Sequence, residues 1–140
     1  MNVKKFWLAC LVVYLWQVVA NLIVHIGILG KAYDNIPDLV RTSRGPMWLN
    51  FIAPIFFAIL FCYIFTKGYE KRGMSEGFRY GLLMGLILCL PKLCYDLANF
   101  FYPAGVVWSW FFLNLVAVII AGVLVAALYK PAATEAPTTE

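Results

Sequence analysis

Four apolar runs, each long enough to cross a bilayer, constrain this chain more than any other feature. They cover about residues 6–29, 47–65, 76–101 and 106–129, with short polar connections between them. About 20 apolar residues in a helix span the ~30 Å hydrocarbon core. Inside that core a helix is the form that satisfies its own backbone hydrogen bonds. The expectation is therefore an all-α membrane protein: four transmembrane helices in an antiparallel bundle over residues 1–130, followed by a disordered tail at residues 131–140. Composition agrees. Apolar residues make up 64% and charged residues 13%, against about a quarter charged in soluble domains. The first run, at ~24 residues, is too long for a signal-peptide core and is read as a retained span.

The third run carries the most information. Around a 3.6-residue wheel, Gly77, Gly81, Gly85, Cys89, Lys92, Asp96 and Asn99 fall within roughly one third of the circumference. Its first half is a GxxxGxxxG ridge, which lets another backbone approach closely. The ridge fits close packing within one chain, a homodimer seam, or docking onto another subunit. Its second half places a lysine and an aspartate where charge is costly. The first run bears a second polar face: Cys10, Tyr14, Gln17, Asn21 and His25 recur at helical spacing. Pro54 and Pro91 each remove a helical donor, freeing the carbonyls of Asn50 and Ile87. The fourth run adds one deep polar residue, Asn114, and opens with Trp108 and Trp110, as the second opens with Trp48. Tryptophans at these positions are read as interfacial anchors.

Charge in the connections orients the chain. With both termini inside, seven basic residues (Lys4, Lys5, Lys67, Lys71, Arg72, Arg79 and Lys130) lie inward and three (Lys31, Arg41 and Arg44) outward. This predicts cytoplasmic N- and C-termini. At 1.5 Å per residue, Asn21 then lies roughly 22 Å up its helix and Lys92 about 21 Å above Phe78. Gln17, Asn21, His25, Asn50, Lys92, Asp96, Asn99 and Asn114 thus share the outer half of the bundle. Two readings stay open. These residues are interhelical glue, or they line an outward-facing pocket for an ion or small polar solute.

Other functions find no support. The net charge of +4 sits at helix ends, so the expected partner is the lipid bilayer and no nucleic acid. Cys10, Cys62, Cys89 and Cys94 form no CxxC and lie in apolar runs, which reads as packing rather than thiol redox chemistry. One histidine does not make a haem or metal site, so no metal or cofactor is expected. No nucleophile is paired with a base, so no catalytic residue is assigned and the chain is not read as an enzyme. The 30–46 connection is a candidate lid or plain linker, and Ser75 is a candidate helix N-cap.

Residues 63–86, YIFTKGYEKRGMSEGFRYGLLMGL, with ALYKP at 127–131, resemble a group of small, uncharacterised bacterial four-helix inner-membrane proteins. Their shared pattern is FTKGYE, EGxRYGLL and a final YKP. YDLAN at 95–99 resembles the YDLTN motif of another membrane family of unknown function. The resemblance implies the four-helix fold and a bacterial inner-membrane location, and implies no activity. The chain lacks the helix 1 acidic residue of small multidrug transporters and the helix 2 charged motif of membrane glutathione-handling proteins. The leading expectation is an accessory or structural subunit of a larger membrane assembly, with other membrane subunits or a homo-oligomer as partners. The alternative is a small transporter that uses the polar pocket.

Overall fold

The structure, a computed structural model, describes residues 2–34, 36, 46 and 48–129. The expected lid, the tail and Lys130 lie wholly or largely outside them. The described chain is all-α, without a strand. Helix α1 spans Val3–Leu22 and continues as a π-helical segment, Ile23–Ile28. A short α2 follows (Gly30–Asp34), then α3 (Leu49–Lys67), α4 (Met74–Asn99) and α5 (Ala104–Leu128). Four of these stretches, Val3–Ile28, Leu49–Lys67, Met74–Asn99 and Ala104–Leu128, are long and apolar enough to cross a membrane. The protein is a multi-pass membrane protein.

Local chemistry sets the helix ends. Asn2 caps α1, its Oδ1 accepting from the Lys5 amide at 3.2 Å, so the helix opens ahead of the apolar run. Pro103, with its fixed φ, precedes α5, and its carbonyl accepts from the amides of Val106 and Val107. The start of α4 differs from expectation. Gly73, not Ser75, is the cap, and no side chain caps the end. Ser75 lies inside the first turn and donates to the Arg72 carbonyl at 3.0 Å. The reason is the tight α3–α4 turn, where Lys71 (φ 64°) and Gly73 (φ 69°) take left-handed conformations. Such a backbone reverses the chain within a few residues. Buried Glu76 then organises the turn by accepting from the Glu70 amide (2.6 Å) and the Arg72 amide (2.9 Å).

Helix α4 packs most closely against α5, while α1 packs against both α3 and α5. The α4–α5 contact runs through glycine. A Cβ added at Gly77 would collide with the Gly122 carbonyl oxygen. One at Gly81 would lie 2.7 Å from Ile119 Cα and 2.8 Å from the Val118 oxygen. Gly85 faces the side chains of Leu115 and Val118. At Gly77 and Gly81 the contacts are backbone on backbone, which small residues permit and which replace the missing hydrophobic drive between helices in lipid. The apolar core is concentrated at one end of the bundle. Phe6, Ala9 and Val13 of α1, Phe61 and Phe65 of α3, and Val125 of α5 close it. Cys10 and Cys62 meet across the α1–α3 seam there. Trp16 donates from Nε1 to the Ala117 carbonyl (2.8 Å), and Tyr80 donates to the Phe61 carbonyl (2.5 Å). Tyr80 also packs its ring on Phe61 and Phe65. The opposite end is not filled in this way.

Overpacking a close contact costs about 1–3 kcal/mol. We therefore expect Gly81→Val to lower thermal stability in detergent by at least that much, because its obstacles are backbone atoms. Gly105→Ala, where nothing lies within 4 Å of the added carbon, is expected to leave it nearly unchanged. Equal effects would contradict the α4–α5 contact.

Candidate functional site: a polar cavity between four helices

All four long helices contribute to one open cavity of about 510 Å³. It lies at the end of the bundle away from the apolar core. Helix α1, with its π segment, supplies Gln17, Asn21 and His25, and α3 supplies Asn50, Pro54 and Phe57. Helix α4 supplies Cys89, Lys92 and Asp96, and α5 supplies Trp110, Phe111 and Asn114. Asn99 is not among the lining residues. Its amide donates to the Tyr95 carbonyl of its own helix at 2.9 Å. The depth at which each helix carries its polar residue brings seven of the eight expected residues into this lining.

Asp96 is the most deeply buried charged group of the cavity. Its side chain is 6% exposed, and Lys92 Nζ forms the ion pair with its Oδ2. Lys92 is itself 62% exposed. Its ammonium stands 5.2 Å from the centre of the Trp110 ring, within reach of a cation–π attraction. The i, i+4 spacing puts both side chains on one face of α4. The pair adds no net charge to the cavity.

A hydrogen-bonded chain closes one seam. Trp110 donates from Nε1 to Tyr33 Oη at 2.7 Å, and Tyr33 Oη lies 2.6 Å from His25 Nδ1. An indole nitrogen only donates, so the Tyr33 hydroxyl accepts from it and shares a second hydrogen bond with His25 Nδ1, whose direction is set by the imidazole tautomer. Burial pushes the Tyr33 phenol above the ordinary tyrosine range, with Trp110's bond acting against it. The hydroxyl therefore keeps its proton at neutral pH. The clasp ties α2 and the end of α1 to α5. His25 sits in the π-helical stretch, where Leu29 donates to the Val24 carbonyl at 2.9 Å. Such wide turns recur at functional sites.

Among the described residues, the remaining polar side chains of the cavity make no bond across the bundle. Asn114 donates to the Trp110 carbonyl of its own helix at 2.8 Å. Gln17, Asn21 and Asn50 have no side-chain hydrogen bond among the described residues. Each of these amides offers two donors and one acceptor.

Three contributors were not legible as site residues. Tyr33 lies in a polar connection, where nothing in the sequence couples it to His25 or Trp110. Trp110 reads as a membrane-surface anchor, although it lies one turn before Asn114 on the same face of α5. Cys89 belongs to the polar face of α4 yet reads as packing. Among the described residues, no group of three or more His, Cys, Asp and Glu converges with metal-binding geometry. No known protein family, curated protein or solved structure matches the chain.

Two outcomes test this geometry. Tyr33→Phe removes the clasp and is expected to cost about 1–2 kcal/mol, with a double-mutant cycle against Trp110→Phe showing positive coupling. Additivity would mean that the two side chains are independent. Lys92→Met leaves the buried Asp96 carboxylate without its partner, whereas Lys92→Met with Asp96→Leu removes both charges. The single variant is expected to be the less stable of the two by roughly 1–2 kcal/mol in thermal unfolding.

Proposed function

We propose that this protein is a small ligand-binding membrane protein of transporter or carrier type, working through the cavity. The observation that carries this reading is the bonding of the polar side chains. Residues on four helices reach one cavity, and apart from the His25–Tyr33–Trp110 clasp at its edge their side-chain hydrogen bonds run along their own helices or stay open. Interhelical glue would need such bonds between helices at Gln17, Asn21, Asn50 and Asn114 as well. A polar group left unpaired at membrane depth costs free energy, so water or a ligand is the natural partner for Gln17, Asn21 and Asn50. The cavity's size falls in the range of small-molecule sites, about 300–1,000 Å³. The accessory-subunit reading would need a partner chain to supply these bonds. No reaction is read into the site.

The same reading places the protein in a bacterial inner membrane with both termini cytoplasmic. The location rests on the resemblance carried by residues 63–86 and 127–131, and the orientation on seven basic residues on one side against three on the other. The cavity then faces outward.

Cys89 is a native reporter, because it lines the cavity while Cys10 and Cys62 are buried. In a Cys94→Ser background, a membrane-impermeant cationic methanethiosulfonate added to intact cells is expected to modify Cys89. The same reagent on inside-out vesicles is expected to react much more slowly. A thiol inert from both sides would mean a dry, sealed bundle and would remove the proposal. Faster reaction from the cytoplasmic side would reverse the orientation.

A further inference from the structure

We propose that the cavity admits its ligand sideways, from the bilayer, past the first half of α3, and that the ligand is an amphipathic molecule with an uncharged head. The inference rests on the cavity reading above and adds the route and the chemical class.

The route follows from how each wall is held. Helix α5 is held to α4 by the glycine contacts. It is held to α1 by the bond from Trp16 and by the His25–Tyr33–Trp110 clasp. Helix α3 is held at one end only. Its buried residues are Ala58, Phe61, Cys62 and Phe65, all in its second half. From Leu49 to Phe57 no residue is buried, and Phe51 and Phe56 are 51% and 64% exposed. The hydrogen bond and ring contacts that join α3 to α4 all involve Tyr80, at the end away from the cavity. Leu88 of α4, across this gap, lines the cavity and is still 46% exposed. A cavity whose weakly held wall stands in the apolar part of a membrane protein opens toward lipid chains.

The chemical class follows from the lining. The amides of Gln17, Asn21 and Asn50, without side-chain hydrogen bonds among the described residues, offer both donors and acceptors. Lys92 is matched by Asp96, so no charge is left over to select an ionic head. Phe57, Leu88 and Phe111 supply apolar walls. Hydroxyls or carbonyls at the polar end, with a hydrocarbon chain leaving beside Ala53 and Phe57, fit this surface.

The test uses the full chain in lipid nanodiscs of phosphatidylethanolamine and phosphatidylglycerol. A dioleoylglycerol analogue with a diazirine in its tail is compared with a diazirine-tailed phosphatidylglycerol, and crosslinks are mapped by peptide mass. The diacylglycerol probe is expected to label the first half of α3 and the Leu88 region of α4 in preference to the charged probe. Unlabelled dioleoylglycerol is expected to compete on the unmodified protein. Asn50→Leu, if folded, is expected to weaken labelling about three- to tenfold, as loss of one or two hydrogen bonds would. Equal labelling by both probes, without competition, marks ordinary surrounding lipid and overturns the proposal. Preference for phosphatidylglycerol overturns the uncharged head. Protection of Cys89 by free glycerol, with no effect of dioleoylglycerol, overturns the lateral route while leaving the cavity reading in place. An unreactive Cys89 removes the cavity reading itself.

Discussion

The close approach of α4 to α5 is the contact on which the rest of the bundle depends. Gly77 and Gly81 meet Gly122, Val118 and Ile119 at backbone distance, a separation that any side chain on that face would prevent. In lipid there is little hydrophobic drive to hold helices together, so dispersion between closely fitted backbones carries much of the association. The same contact sets the rotation of α4. Once its glycine half is turned to α5, the helical repeat brings Cys89, Lys92 and Asp96 to the inner side of the bundle as well. A packing requirement at one end of the helix thereby positions charge at the other.

The two ends of the bundle satisfy opposite demands. At the end of the α3–α4 turn, aromatic rings and small residues fill the space, and the few polar groups are paired. Glu76 takes two backbone amides, and Tyr80 gives its proton to the Phe61 carbonyl. At the other end the helices hold a space between them, and Gln17, Asn21, Asn50 and Asn114 line it without bonding to one another. The clasp of His25, Tyr33 and Trp110 holds this end together. It fixes the walls near α1 and α5 and leaves α3 the freer one. Pro54, which lines the cavity, lies within this freer half and weakens the helix's own bonding.

What the sequence determined by itself was the class of fold and the depth of the polar residues. Apolar run length dictates helices that can cross a membrane. A repeat of 3.6 residues dictates that Gly77, Gly81 and Gly85 share a face with Lys92 and Asp96, and that Gln17, Asn21 and His25 share another. Rise per residue dictates that Asn50 and Asn114 come to a similar height. These are properties of single helices and need no knowledge of neighbours. Asn99 shows the limit of such reasoning. It has the right height and face, but it lies past the cavity at the last turn of α4 and bonds back to Tyr95. The cap of α4 shows another, since a left-handed turn and a buried Glu76 shifted the helix start to Met74. Only the tertiary structure decided that the glycine face meets α5 of the same chain, that the polar faces enclose a space instead of bonding across it, and that Tyr33 joins His25 to Trp110. Each of these depends on which helices are neighbours and how each is rotated. Packing between helices sets that, and no periodicity within one helix records it.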